Sequence, residues 1–121
     1  MRHLTVYLYP ACGTCKKAKK YLEQHGIPFE EKHIVKEPPS KDELKGFVVK
    51  SGLPLQKFFN ISGKKYRELN LKERLKTMDD EEKLELLASD GMLIKRPIAT
   101  DGDQVTVGFK EETFDDTWRN E

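Results

Sequence analysis

The stretch Leu4-Thr5-Val6-Tyr7-Leu8-Tyr9-Pro10-Ala11-Cys12-Gly13-Thr14-Cys15 decides the fold. Its first six residues, rich in apolar, β-branched and aromatic side chains, read as a strand. Pro10 breaks the strand. Cys12, Cys15, Ala18 and Leu22 then recur at spacings of three and four, the pattern of one helix face, with lysines and Glu23 filling the others. His25-Gly26 followed by Pro28 predicts the helix stop. Phe29 to Val35 predicts a second strand. Strand, helix and strand within about 30 residues make a βαβ unit with a right-handed crossover.

The two thiols are the only cysteines in the chain. Three readings compete: a redox couple, half of a metal site, or two small core residues. On a helix, side chains at i and i+3 stand about 5–6 Å apart at Cβ. A disulfide accepts Cα separations of about 4.4–6.8 Å, so this pair can close and reopen with little backbone movement. Cys12 falls at the helix N-terminus, where unpaired N–H groups and the macrodipole stabilise a thiolate. Lys16 adds positive charge one turn on. Cys12 is thus the expected attacking thiol, and the better shielded Cys15 the expected resolving one. Zinc needs about four ligands, and none of His3, His25 and His33 has a paired spacing; no metal is expected. Core packing remains the plain alternative. A strand-to-helix turn favours the redox couple.

Beyond the second strand, Glu37-Pro38-Pro39 reads as a rigid loop. Ser40-Lys41-Asp42-Glu43 has capping-box spacing. Leu44, Phe47 and Val48 form the buried stripe of the helix it opens, and Gly52 ends that helix. Residues 53 to 90 look helical in short pieces: around Leu55, Phe58 and Phe59, from Leu69 to Leu75, and from Glu81 to Ala88 behind an Asp79 cap. Asp90-Gly91 reads as a turn. Met92 to Ala99 is strand-like but interrupted by Pro97. Asp101-Gly102 signals a hairpin, Gln104 to Phe109 alternates as its second strand, and Phe114 with Trp118 predicts a short closing helix. The order βαβ, helical insert, ββα is that of an α/β protein with a thioredoxin-like core and an inserted α-helical segment. One domain is expected, its core formed by 1–36 and 91–121 and its insertion by about 40–90.

Composition narrows the function classes. Hydrophobic and charged residues each make up 36% of the 121 residues, which suits a very soluble globular protein. No apolar run approaches the roughly 18 residues of a membrane span. The net charge is +1, without the basic bias of a protein that neutralises phosphates, so no direct nucleic-acid binding is expected. No signal peptide is expected before the first strand. A cytoplasmic location is expected, and structural disulfides are rare there.

With Pro10-Ala11-Cys12-Gly13-Thr14-Cys15 and Lys95-Arg96-Pro97-Ile98 placed, the chain resembles the ArsC/Spx/MgsR family, in particular its small YusI-type members from Gram-positive bacteria. Asn60-Ile61-Ser62-Gly63-Lys64-Lys65-Tyr66-Arg67 is similar to a stretch of that subgroup. The resemblance implies a thioredoxin fold with a helical insert and a cis Pro97 beside the reactive cysteine. It also implies an Arg96 guanidinium directed toward Cys12. Asn60 and Ser62 read either as donors facing Cys12 or as ordinary loop residues. Lys16 is the lysine of the first helix best placed to act on the thiolate.

Two departures shift the implied chemistry. Arsenate reductases that depend on glutathione pair one cysteine with three arginines. Here Arg96 is kept, while Asn60 and approximately Gly108 fall at the other two positions. Each lost charge-assisted contact is worth about 1.5–3 kcal/mol, so weak arsenate binding is implied. Cys15, where those enzymes often carry serine, favours an internal disulfide. The expected activity is thiol–disulfide exchange on a thiol or disulfide substrate. It uses no bound cofactor, and thioredoxin or glutathione serves as external electron donor. Resemblance to Spx, with Val107-Gly108-Phe109 in common, implies a second role: a redox-switched regulator that binds the C-terminal domain of the RNA polymerase alpha subunit. A monomer is expected.

Overall fold

The computed structural model describes residues 3–119. Its sheet is built outward from β1 (Leu4–Leu8), whose residues are nearly all buried. β1 runs parallel to β2 (Phe29–His33), with Leu4 opposite Phe29 and Leu8 opposite His33. On its other side it is antiparallel to β3 (Ile98–Thr100), which in turn pairs with β4 (Val105–Val107). The order β2-β1-β3-β4 leaves β2 and β4 as edges and β1 and β3 inside. It is the thioredoxin-like arrangement expected from the sequence.

Both sheet faces are covered, because side chains of successive strand residues point to opposite faces. On one face α1 (Gly13–Gln24) buries Cys15, Ala18, Tyr21 and Leu22 against Leu4, Val6, Leu8 and Ala99. The last described elements, α6 (Glu111–Phe114) and a π-helical turn, Asp115–Arg119, lie on this face. Phe114 and Trp118 are both buried there. The Trp118 indole N–H donates to Thr106 Oγ1 at 3.1 Å, so its one polar atom is satisfied inside the core.

The other face carries Tyr7, Ile98 and Val105 and is covered by the helical segment between β2 and β3. That segment comprises α2 (Lys41–Ser51), α3 (Lys64–Glu68), α4 (Leu71–Arg74) and α5 (Asp80–Ser89), with three-residue to four-residue 3₁₀ turns between them. Ser40 and Glu43 form the capping box that opens α2, and Gly52 closes it at φ 70°. A second box, Asp79 with Glu82, opens α5. Each box satisfies two backbone N–H groups that a helix start otherwise leaves unpaired.

The third strand is shorter and later than Met92 to Ala99. Gly91–Leu93 forms a 3₁₀ turn, and Ile94 makes an isolated bridge to Phe59 instead of joining the sheet. Regular pairing starts only after Pro97, which has no N–H to donate. Gly91 is required where it stands: a Cβ there would lie 2.0 Å from the Ile34 carbonyl oxygen. Its backbone therefore presses directly on the end of β2. Among the described residues, no helix is long and apolar enough to cross a membrane.

Candidate functional site

The site lies where β1 turns into α1. Cys12 is the N-cap of α1, with extended backbone (φ −87°, ψ 121°) and no side-chain cap hydrogen bond. Its N–H donates to the Tyr9 carbonyl at 3.0 Å, and its own carbonyl accepts from Lys16 N–H at 3.1 Å. Cys12 is half-buried, Cys15 is only 2% exposed, and both are free thiols. The two approach to 3.3 Å. Three-residue spacing in the first helical turn brings them together, as the sequence predicts.

Their environments push them in opposite directions. Partial burial works against a Cys12 thiolate, but three contacts outweigh it: the Cys15 backbone N–H, the Cys15 thiol and the Arg96 guanidinium. The Cys12 thiol is held below its ordinary value. Cys15 is pushed up to about 12, first by burial and then by Cys12 itself, although the Tyr9 N–H donates to its sulfur at 3.5 Å. One thiol is thus prepared to ionise and its neighbour to stay protonated.

Arg96 reaches Cys12 because the chain is pinned on either side of it. Before it, Lys95 N–H donates to the Phe58 carbonyl at 2.8 Å, and Asn60 N–H donates to the Leu93 carbonyl at 2.8 Å. After it, the Arg96–Pro97 peptide is cis, and the Pro97 carbonyl accepts from Gly108 N–H at 2.8 Å. The guanidinium carbon stands 4.8 Å from the centre of the Tyr9 ring. Among the described residues, Arg96 Nε and Nη1 are buried without a hydrogen-bond partner. Among the described residues no carboxylate pairs with this cation, so its charge favours the Cys12 thiolate while Nε and Nη1 stay unfilled.

The pattern of the ArsC family matches residues 7–117. The chain belongs to the ArsC family. YusI of Bacillus subtilis strain 168 is 66% identical over 95% of this chain and 98% of its own length. The global transcriptional regulator Spx of Enterococcus faecalis is 33% identical over 90% of this chain and 81% of its own. Among solved structures, an ArsC-family-related protein from Bacteroides fragilis superposes with a TM-score of 0.92 at 45% identity, covering 96% of this chain and 97% of that one.

The positions that depart from the three-arginine pattern have local explanations in this fold. Gly108 adopts φ 80°, and a Cβ there would stand 3.0 Å from Lys95 Cε. An arginine at that backbone would be strained. Asn60 is half-buried, and its side chain folds over Gly63, where an added Cβ would meet its Nδ2 at 2.7 Å. Ser62 is exposed in the same loop. The pairing of residues 58–60 with 93–95 sets this loop next to the Arg96 segment, and its described contacts run to Gly63 and Leu93.

Two further residues belong to the site that the sequence reading did not single out. Tyr9 touches both thiols and the arginine: its carbonyl holds Cys12, its N–H holds Cys15, and its ring carries Arg96. His33 stands edge-on to that ring, with centroids 5.7 Å apart. It also lines, with Cys15 and the exposed Lys16, a groove of about 480 Å³ between β2 and the start of α1. The adjacency of Tyr9 to the thiol motif could have drawn attention to it. His33 carries no local signal, because only the parallel register of β1 and β2 brings it there.

Proposed function

We propose that this protein is a cytoplasmic thiol–disulfide oxidoreductase in which Cys12 attacks and Cys15 resolves. The observation that carries the reading is the unequal pair: a favoured thiolate at a helix start, 3.3 Å from a buried thiol raised to about 12. The Cys12 thiolate attacks one sulfur of a substrate disulfide. The S–S bond breaks, one substrate thiolate leaves, and Cys12 holds the other half as a mixed disulfide. Cys15 gives up its proton and attacks Cys12 Sγ. The second thiolate departs, and Cys12 and Cys15 end as a disulfide. Two electrons and two protons have passed to the substrate. Lys16, Arg96 and the first amides of α1 favour the Cys12 anion, and Pro97, Asn60 and Ser62 are assigned to the substrate on the Arg96 side of the site. An external thiol, thioredoxin or glutathione, returns the two electrons. Arsenate is a poor substrate on this reading, since only one of three arginine contacts is kept.

The test is trapping. Cys15→Ser, treated with a small disulfide, should accumulate a stable adduct on Cys12, read by intact mass and peptide mapping. Cys12→Ser should react at least about 100-fold more slowly. An adduct that forms on Cys15 of Cys12→Ser as fast as on Cys12 of Cys15→Ser, or no adduct in either, would contradict the assignment of roles.

Similarity to Spx favours a second reading, a regulator that binds the C-terminal domain of the RNA polymerase alpha subunit in one redox state. Pull-down with that domain, with and without reductant, separates the two. Binding in a single redox state supports the regulator, and binding in neither removes it.

A further inference from the structure

The groove beside Cys15 has a chemistry that the exchange cycle above does not use. Its volume of about 480 Å³ is within the range of small-molecule sites, about 300–1,000 Å³. Buried Leu8 and Cys15 line it from within, and Lys16, Lys19, Glu31 and His33 form its walls. Lys19 and Glu31 neutralise each other at 2.7 Å. Among the described residues, the Lys16 ammonium has no partner. His33 Nδ1 accepts from Val35 N–H at 3.1 Å and from Lys36 N–H at 3.2 Å. In the neutral ring the proton therefore sits on Nε2, which leaves an N–H donor at the groove. Lys32 also borders the groove, but its ammonium lies over the Tyr7 ring, 5.7 Å from its centre, on the opposite face of the sheet. With Lys19 and Glu31 paired and Glu37 at the edge, the donors left open to a ligand are the Lys16 ammonium and the His33 N–H.

We propose that this groove holds a carboxylate of the substrate, through Lys16 and His33 Nε2–H, and that the protein selects low-molecular-weight disulfides with carboxylate ends. The proposal rests on the oxidoreductase reading. Cys15 lines the groove and lies 3.3 Å from Cys12, so a group bonded to Cys12 Sγ can lay a short tail past Cys15 into it. Charge-assisted contacts of this kind discriminate by about tenfold or more. The reaction is the balanced one given above: the protein dithiol and one carboxylate-bearing disulfide become the protein disulfide and two carboxylate-bearing thiols.

The test compares three disulfides of similar length: dithiodipropionate (carboxylate ends), bis(hydroxyethyl) disulfide (neutral) and cystamine (ammonium ends). The rate at which pre-reduced protein forms its internal disulfide is divided by the rate of each compound with dithiothreitol. The carboxylate compound should lead the neutral one by about tenfold, with cystamine last. Lys16→Gln and His33→Asn should each reduce that ratio several-fold. Asn keeps an acceptor for Val35 and Lys36 and loses the outer N–H, whereas His33→Gln restores a donor and should recover the ratio. Equal ratios for the three compounds, or a preference unchanged in both Lys16→Gln and His33→Asn, would overturn the proposal. Glutarate, which has no sulfur, decides the groove separately. It should shift the His33 ring resonances, and unmoved resonances overturn the groove. Failure of all three disulfides to oxidise the protein, with glutarate still bound, would instead overturn the oxidoreductase reading.

Discussion

At the scale of single residues, the site is a contest over one proton. Burial alone would keep both cysteines neutral. Cys12 escapes because donors converge on its sulfur, and Cys15 does not because it lies deeper and faces Cys12. Tyr9 is the residue that holds this asymmetry in place. Its backbone fixes both thiols, and its ring is the platform of a guanidinium 4.8 Å away that has no carboxylate partner among the described residues. Such a cation–aromatic contact is worth about 0.5–2 kcal/mol, and one pKa unit corresponds to about 1.4 kcal/mol. Tyr9→Leu should therefore raise the Cys12 pKa by roughly half a unit to one unit, read from thiolate absorbance, while Tyr9→Phe should leave it near wild type. Equal shifts in both variants would mean that the ring does not act through Arg96.

At the scale of elements, what could be read from the sequence was whatever a short window contains. The spacing of Cys12 and Cys15, the box Ser40–Glu43, the Asp79 cap and the stop at Gly52 are all local physics. Each appears at its expected place. The third strand was misjudged because Met92, Leu93 and Ile94 are as apolar as strand residues. Their partners are Phe58, Phe59 and Asn60 in the helical segment, and nothing near them in sequence announces that pairing. Tyr21 was missed as a core residue for a related reason. Its hydroxyl is held by Asp115, and its ring packs edge-on to Phe109 and Phe114, all contributed by the far end of the chain. The same limit applies to the site. The thiol pair was legible, whereas the convergence of Tyr9, His33 and Arg96 depends on three separate strand pairings. The cis peptide at Pro97 was expected only from family resemblance, and the structure has it.

At the scale of the whole molecule, the sheet separates two packed cores, and the site sits at the end of β1, with Cys15 inside one core and Cys12 at its margin. This placement keeps Cys12 accessible while Cys15 and Tyr7 are buried. Those two groups give the fold a pH dependence. Cys15 is raised from 9.0, and Tyr7 from 10.0, each to about 12, both chiefly by burial. An acid whose folded pKa is raised keeps its full stability contribution below the unfolded value and loses it as pH climbs to the folded one. Cys12, whose pKa is lowered, works oppositely, and its contribution is complete once pH passes 9.0. Above pH 9 only the losses remain. The denaturant midpoint of the reduced protein should fall steadily from pH 9 toward about 12, and Cys15→Ala with Tyr7→Phe should flatten that decline in part, since Tyr21 is also raised to about 12. A midpoint that rises over this range would contradict the burial argument.

The central claim is that Cys12 and Cys15 form a working dithiol–disulfide couple. The most direct measurement equilibrates the protein in glutathione buffers of graded redox ratio, quenches with a thiol-blocking reagent and counts blocked cysteines by mass. The account predicts one reversible transition between two blocked cysteines and none, with the oxidised form linked internally between Cys12 and Cys15. Two cysteines blocked at every ratio, or oxidation that stops at a glutathione adduct on Cys12 with Cys15 still free, would contradict it.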